Sequence, residues 1–332
     1  MIKAKLVYSG SDVRIPEDMG IPRDDQMQGT AAEQLGELAG RVCYDSLGKG
    51  RSSKDYHSHI LEVGHLSVYE HFNFTFQCEM KFVTHFLNRP GFYIGWNSDG
   101  LMVTTNLRGC LDYSRFSPYS PQANLILLNI AHHFAQQIQP LEADPELPDW
   151  WWYRGVPDDN QRWISVWLQC SRGCSHELVR HGDFTAISQR STRYVDESES
   201  DWIPHPLMNA WTSFEENTIY DCQQHYRTAV ELLEAKLINQ GVPKLTARKQ
   251  ARGAARGILG NALSTQMIFS ANVNQWRHMF RMRMSEHADA EIRILFNRIY
   301  EEFSQDASIS QHFTFGTKPS PDGLGYVLSE NN

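Results

Sequence analysis

The chain has 332 residues, and 31 Lys and Arg against 39 Asp and Glu give it a net charge of −8. This balance disfavours nucleic-acid binding through bulk charge, so any phosphate must be held by local clusters of arginine. No apolar run approaches the ~20 residues of a membrane span, and the N-terminal segment lacks the apolar core of a signal peptide. The six cysteines show no paired CxxC spacing, so we expect a reduced, cytoplasmic protein that binds no membrane.

Two strands and two helices are predicted in the first eighty residues, and the first strand, followed by a polar loop, lies in "MIKAKLVYSGSDVRIPEDMG". Apolar spacing predicts a helix over 29–46, and a second, short helix follows a serine cap and ends at Gly64. Phe72, Phe74 and Phe76 alternate as in a strand with one buried face.

The stretch 84–165 is less regular. It contains a strand-like "GLMVTTNLRG", a helical "NLILLNIAHHFAQQI", and a segment rich in proline, acid and tryptophan that predicts a loop. "WISVWLQCSRGCSHELVRHG" then predicts a strand that runs into a helix.

Long helices dominate the C-terminal third. We predict one helix over 207–240, stopped by Gly241 and Pro243, a second from about Lys244, and a third from about Val273 to about Phe303. The tail from 304 is predicted to be polar and extended.

The segment "HELVRHGDFTAISQRSTRYV" (176–195) concentrates hydrogen-bond donors. It is either a solvated turn with surface arginines or a phosphate site. Interleaved guanidinium forks and hydroxyls after a strand favour the phosphate site. The residues that carry this interpretation are Arg180, Ser188, Arg190, Ser191, Thr192 and Arg193.

Two later segments also combine charge with apolar surroundings. Lys244, Arg248, Arg252 and Arg256 recur every four residues; the first two fit a solvated stripe, whereas Arg256 enters the apolar "GILG" and is predicted to be buried against a ligand or partner. A second set is predicted to share one helical face and form a pocket wall with Asn272 and His278: Trp276, Phe280, Arg283 and His287.

The histidines of "GHLSVYEH" do not predict a metal site. His65 and His71 lack the HExxH spacing of a zinc site, and the sequence offers no third ligand. No P-loop, GxGxxG or GxSxG motif occurs, so a nucleotide would be bound by a less common scaffold.

Three segments, in this order, resemble the flavin-dependent thymidylate synthases. "GHLSVYEHFNFTF" resembles that family's GHxSxxEHxxFTF block. "SRGCSHELVRHGDFTAISQRSTRYV" resembles its signature, an Arg-His-Arg triplet followed by S-x-x-S-x-R-Y. "ARGILGNALSTQMIFSANVNQWRHMFRMRMSEHADAEIR" resembles its C-terminal block, which ends in H-A-Q-x-E-I-R.

The resemblance implies an α+β fold with a mixed sheet and long helices, in a single domain over 1–332 with an insertion at about 84–165. It implies a homotetramer with active sites between subunits, which methylates dUMP with methylene-tetrahydrofolate, FAD and NADPH. The implied dUMP contacts are Glu177, Arg180, Gln189, Arg190, Ser191, Thr192, Arg193, Arg256 and Arg283, with Arg283 as the catalytic residue beside N3 of uracil. The implied FAD contacts are His65, Ser67, Arg180, His181, Gly182, Gln189, Asn272, Asn274, His278 and His287.

The sequence departs from the family pattern mainly on the flavin side. Gly182 stands where the triplet has its second arginine, and one residue is inserted between Arg180 and Ser191. Asn274 and Asp289 replace a usual arginine and a usual glutamine. A dUMP hydroxymethylase on the same scaffold and a non-catalytic nucleotide-binding homologue therefore remain as alternatives to a thymidylate synthase.

Overall fold

The fold is taken from a computed structural model. It describes residues 1–10, 12–19, 27–77, 80, 86–87, 91–97, 100–116, 127, 131, 134–135, 158–182, 184–208 and 210–329. The predicted helix "NLILLNIAHHFAQQI" and the tryptophan-rich loop therefore lie almost entirely outside the described residues, as does Asp183.

A four-stranded sheet forms the centre of the fold. Its strands are β1 (Lys3–Tyr8), β5 (Trp163–Ser171), β6 (Thr185–Gln189) and β7 (Ser264–Asn272), in the order β1-β5-β7-β6. Each neighbouring pair is antiparallel. The prediction of a mixed sheet is therefore wrong for the described strands, whereas the α+β class is confirmed.

Alternating side chains of this sheet face two separate cores. Trp167 and Ile268 belong to the first core, which also includes the helices α1 (Ala31–Tyr44) and α2 (Ser53–Glu62). Val166 and Phe269, one position away on the same strands, belong to the second core. Because the sheet is covered on both faces, nearly every residue of β5 and β7 is buried.

A smaller sheet and a helix lie beside the first core. β2 (Asn73–Gln77), β3 (Tyr93–Asn97) and β4 (Gly100–Asn106) pair antiparallel in the order β2-β4-β3. Helix α3 (Leu107–Phe116) follows β4 directly. The strands β3 and β4 and helix α3 all belong to the predicted insertion.

The helix predicted over Val273–Phe303 is wrong as a single element, because the structure contains two. Helix α7 (Val273–Arg283) ends before a turn, and α8 (Ala290–Gln305) begins after Asp289, whose side chain accepts a hydrogen bond from the Glu291 amide at 2.9 Å. That cap satisfies an amide at the start of the helix and fixes the break.

The remaining elements agree closely with the sequence. Helix α4 (Arg172–Leu178) follows β5, and the helices α5 (Ser213–Asn239) and α6 (Lys244–Ala255) form a hairpin, with α5 starting six residues later than predicted. Gly64 ends the region of α2 with a positive φ of 70°, as its predicted role requires. The tail is more ordered than predicted, since β8 (Thr317–Pro319) and β9 (Tyr326–Leu328) form a hairpin there. In the described part of the chain, no helix is long and apolar enough to cross a bilayer.

Candidate functional site

Arg283, at the end of α7, is held by two groups of the signature segment. Its Nε donates to His181 Nε2 at 2.9 Å, and its terminal nitrogens donate to the Glu177 carboxylate at 2.6 Å and the Glu177 carbonyl at 3.0 Å. The arginine side chain is 12% exposed. These contacts use three of the five guanidinium N–H donors, so two remain for a ligand. The structure thus brings Glu177, His181 and Arg283 together from two distant segments.

His181 is neutral in this arrangement. Burial, the Arg283 charge and then His278 lower the pKa of His181 to about 4. Because Nε2 accepts from Arg283, the ring proton must sit on Nδ1. The His278 ring lies edge-on, with its centroid 6.3 Å away. A neutral, fixed imidazole therefore orients the guanidinium rather than competing with its charge.

His71 anchors the strands that carry the signature. It is fully buried, and its ring nitrogens are hydrogen-bonded to Ser270 at 2.8 Å and Ser188 at 2.9 Å. Burial lowers the pKa of His71 to about 3. Serine hydroxyls on β6 and β7 thus occupy both nitrogens, and no group of three or more His, Cys, Asp or Glu side chains among the described residues is suited to a metal.

Residues 190–196 form a turn that packs between α1 and α6. The Ser191 amide donates to the Cys43 carbonyl at 2.9 Å, and Arg252 donates to the Tyr194 carbonyl at 2.5 Å and to Asp196 at 2.9 Å. Arg193 is exposed, and Thr192 is buried beside it. The turn is therefore fixed from both sides while Arg193 stays accessible.

Arg190 has a different environment from its neighbours. It lies 3.6 Å from the buried Glu197 carboxylate and donates to Ser200 at 3.3 Å, and its Nε is buried with no acceptor among the described residues. Gln189 also points inward, donating to Ser175 at 2.8 Å and Thr265 at 3.3 Å. Both residues shape the site, and their contact with a nucleotide stays a prediction.

Sequence reasoning missed Arg172, the first residue of α4. Burial and the nearby positive charge of Arg256 lower its pKa, against the opposing effect of Glu197. Arg172 and Arg256 therefore lie close enough to interact, beside the Glu197 carboxylate. Arg256 itself is exposed in this chain, and its burial against a ligand or partner stays a prediction. The signal that could have indicated Arg172 is its place directly after the predicted strand in "WISVWLQCSRGCSHELVRHG".

A cavity of about 420 Å³ opens on the other side of the turn at 190–196. Its lining combines cations with tyrosines: Arg41, Tyr44, Lys49, Arg51, Tyr56 and Tyr194. The Tyr44 hydroxyl is hydrogen-bonded to His65 Nδ1 at 2.8 Å, and burial, Lys249 and Arg108 together lower the pKa of His65. The Tyr56 hydroxyl is buried with no partner among the described residues. The predicted His65 therefore contacts a lining residue of this cavity, Tyr44, which the sequence did not single out.

Several predicted residues lie apart from these groups. Asn272 is buried and caps α7 by accepting from the Gln275 amide at 2.8 Å, whereas Asn274 is exposed and donates to the Asn160 side chain at 2.8 Å. Ser67 is half-buried in the 3₁₀ turn Leu66–Glu70, and Arg180 is exposed. The structure does not bring these residues into direct contact with Arg283.

The predicted pocket wall along α7 is wrong in part. Trp276 and Phe280 are fully buried in the second core, where they pack against each other and against Phe303. His287 lies beyond the end of the helix and is exposed. Because the helix stops at Arg283, only that end of the face reaches the site.

The comparisons with known proteins agree with these motifs. A family model described as "Thymidylate synthase complementing protein" matches residues 26–89 and 164–307, more than half of the chain. The chain belongs to this family. The unmatched interval between the two stretches lies within the predicted insertion at 84–165.

Individual relatives are similar over a shorter length. Proteins named flavin-dependent thymidylate synthase from Mycolicibacterium gilvum and Mycobacterium marinum are 42% identical over 132 residues and 44% identical over 128 residues. Each alignment covers 38% of this chain and 50% of the relative, so the chain spans about half the length of the curated relatives it matches. Thymidylate synthase X from Helicobacter pylori, solved with FAD and dUMP, is 14% identical with a TM-score of 0.31, covering 63% of this chain and 89% of that chain.

Proposed function

We propose that the protein is a flavin-dependent thymidylate synthase, which methylates dUMP to dTMP with methylene-tetrahydrofolate as carbon donor and NADPH as reductant. The observation that carries the proposal is the contact of Arg283 with Glu177 and His181. It joins the family signature to the C-terminal block at one point and leaves guanidinium donors available.

Arg283 can supply the activation that this reaction needs. An arginine stays charged at neutral pH, and it stabilises the negative charge that develops on uracil when the ring loses its N3 proton or is attacked at C6. His181 and Glu177 hold the guanidinium in place, so little reorganisation is required. Glu177 as the partner of Arg283 is consistent with Arg283 as the catalytic residue.

A phosphate is best placed near the arginines at the start of α4 and the end of α6. Arg256 is close enough to Arg172 to lower its pKa, and a phosphate between the two guanidinium groups would offset that repulsion. Arg193, Ser191 and Thr192 would add donors from the neighbouring turn. In a homotetramer with sites between subunits, a second chain would contribute part of this set.

The residues around the 420 Å³ cavity fit a flavin dinucleotide. Lys49 and Arg51 suit a pyrophosphate, whereas Arg41 is already bound to Glu37 and to two carbonyls. Tyr44 and Tyr194 offer rings to stack on. When bound, FAD supplies the hydride chemistry, and the chain supplies the placement and the charge.

The test is product analysis with purified protein, FAD, NADPH, dUMP and methylene-tetrahydrofolate. We expect dTMP to form, and we expect the bound flavin to be bleached by NADPH. A protein that binds neither FAD nor dUMP would contradict the proposal and favour a role without this catalysis.

One observation favours a second function on the same scaffold. Gly182 leaves the flavin side of the site without a guanidinium that the family has, so hydride delivery could be replaced by addition of water to the methylene adduct. The protein would then be a dUMP hydroxymethylase. The same assay separates the two, since hydroxymethyl-dUMP in place of dTMP identifies the second function.

A further inference from the structure

A second cleft, of about 310 Å³, lies between the signature segment and the insertion. Gly182 and Thr185 line one side of it, and Tyr93, Arg108 and Asp112 line the other. The last three belong to β3 and α3, within the interval 90–163 that the family model does not match. The insertion therefore adds a wall that the family motifs do not contain.

Two carboxylates hold one guanidinium in this cleft. Arg108 Nε donates to Asp112 Oδ2 at 3.1 Å, and a terminal nitrogen of Arg108 donates to Glu70. The side chains are between 30% and 41% exposed, so a ligand can reach them. Each carboxylate has about four lone-pair sites, and the guanidinium has five N–H donors, so all three groups keep capacity for further hydrogen bonds.

The charge of this group disfavours an anion. Two carboxylates outweigh one guanidinium, so a phosphate in the cleft would meet net repulsion. A neutral ligand that donates N–H groups to a carboxylate and accepts from the guanidinium fits better.

Aromatic rings and an unpartnered donor complete the cleft. The Tyr93 ring packs 4.4 Å from Phe184 and 6.4 Å from Trp163, measured between centroids. The Trp163 side chain lines the cleft and is 4% exposed, and its Nε1–H has no acceptor among the described residues. A buried indole N–H without an acceptor costs free energy, which a ligand carbonyl or ring nitrogen would recover.

The cleft lies beside the proposed catalytic group. Gly182 follows His181, which binds Arg283, and Arg108 is close enough to lower the pKa of the predicted flavin contact His65. A Cβ built on Gly182 would meet nothing within 4 Å, so the space beside it is open.

We propose that this cleft binds the 2-amino-4-oxopteridine ring of a reduced folate, a deepening that rests on the proposed function. The carboxylate of Asp112 or Glu70 accepts from the 2-amino group and the neighbouring ring N–H, and Arg108 donates to the 4-oxo group. The aromatic wall provides a surface for the flat ring. Guanine presents the same hydrogen-bonding edge, so GMP is the competing ligand in the test.

The test is isothermal titration calorimetry of the full chain with folinic acid (5-formyltetrahydrofolate) and, separately, with GMP. We expect Asp112→Asn and Arg108→Gln each to weaken folinic acid binding by about tenfold or more, with dUMP affinity unchanged within twofold. Asp221→Asn on α5, an exposed aspartate far along the chain, is the matched control and should bind folinic acid like the unchanged protein. Thermal melting of each variant checks that the fold is retained.

Three results would overturn the proposal. The first is that both variants bind folinic acid within twofold of the unchanged protein, and the second is that the unchanged protein does not bind it. The third is that GMP binds more tightly than folinic acid and that the variants lose this GMP binding. Failure of the proposed function looks different, because then the unchanged protein forms no dTMP and does not bind dUMP, whatever the variants do.

Discussion

Replacing Arg283 with alanine removes a guanidinium that joins α4 to α7. The arginine donates one hydrogen bond to His181 and two to Glu177, and its side chain is 12% exposed. Hydrogen bonds to charged groups contribute about 1.5–3 kcal/mol each when a buried partner is left unsatisfied. Glu177 is 27% exposed and can be rehydrated after the change. We therefore expect a loss of about 2 kcal/mol in the free energy of unfolding, which lowers Tm by about 4 °C.

The effect on catalysis should be much larger than the effect on stability. Removing one preorganised donor that stabilises developing negative charge costs about 10²–10³ in kcat. Arg283→Lys keeps the charge but cannot reach His181 and Glu177 in the same fork geometry. It should therefore recover part of the stability and little of the rate. Arg281→Ala is the matched control, since Arg281 lies on the same helix and is exposed.

The assays are dTMP formation under saturating dUMP, equilibrium unfolding in urea, and dUMP binding by calorimetry. If Arg283→Ala retains kcat within threefold of the unchanged protein, Arg283 is not the catalytic group. If instead the rate falls only in proportion to the unfolded fraction, its role is structural. Arg281→Ala should match the unchanged protein in all three measurements.

Three further predictions concern the flavin side, the phosphate site and the buried His71. Gly182→Arg restores the family triplet at a position with open space around the added Cβ. We therefore expect FAD affinity to rise about tenfold in the absence of folate, with Gly182→Ala as the control. An unchanged FAD affinity argues against a flavin role for this position. Arg193→Ala should weaken dUMP binding about tenfold with unchanged Tm, since Arg193 is exposed, and preserved affinity would count against its assignment. The free energy of unfolding should fall by about 3 kcal/mol between pH 7 and pH 4 on account of His71. The reason is that the pKa of His71 is about 3 in the folded chain against 6.5 ordinarily, so only the unfolded state binds the proton in that window. His71→Gln should reduce this loss of stability in acid, and an identical pH dependence in the variant refutes the explanation.

Local sequence patterns predicted most helices and strands because their signals are local. The apolar spacing of α1, the glycine after α2 and the Gly241–Pro243 stop after α5 act within a few residues of the boundary they define. The break between α7 and α8 was missed because the apolar period continues across it. Asp289 carried the missing signal, since an aspartate two residues before Glu291 can cap a new helix.

The site depended on long-range contacts that spacing cannot show. Glu177 and Arg283 lie more than a hundred residues apart, and only the ordered family motifs placed them in one site. Periodicity misassigned Trp276 and Phe280 to a pocket wall, since the same spacing describes a core face. Arg172 was missed because its significance depends on Arg256, which comes to it from a distant helix.

The glycine at position 182 and the insertion both line the same cleft. Gly182 leaves open space, and the insertion brings Arg108 and Tyr93 to the same cleft. A guanidinium that is neutralised by Glu70 and Asp112 cannot replace a guanidinium that binds an anion. The exchange therefore changes which ligand this side of the site favours, from a charged group to a neutral ring. Since Arg283 is oriented by Glu177 and His181 and not by the insertion, substitutions at Arg108 should raise the KM for folate while leaving kcat within a few-fold.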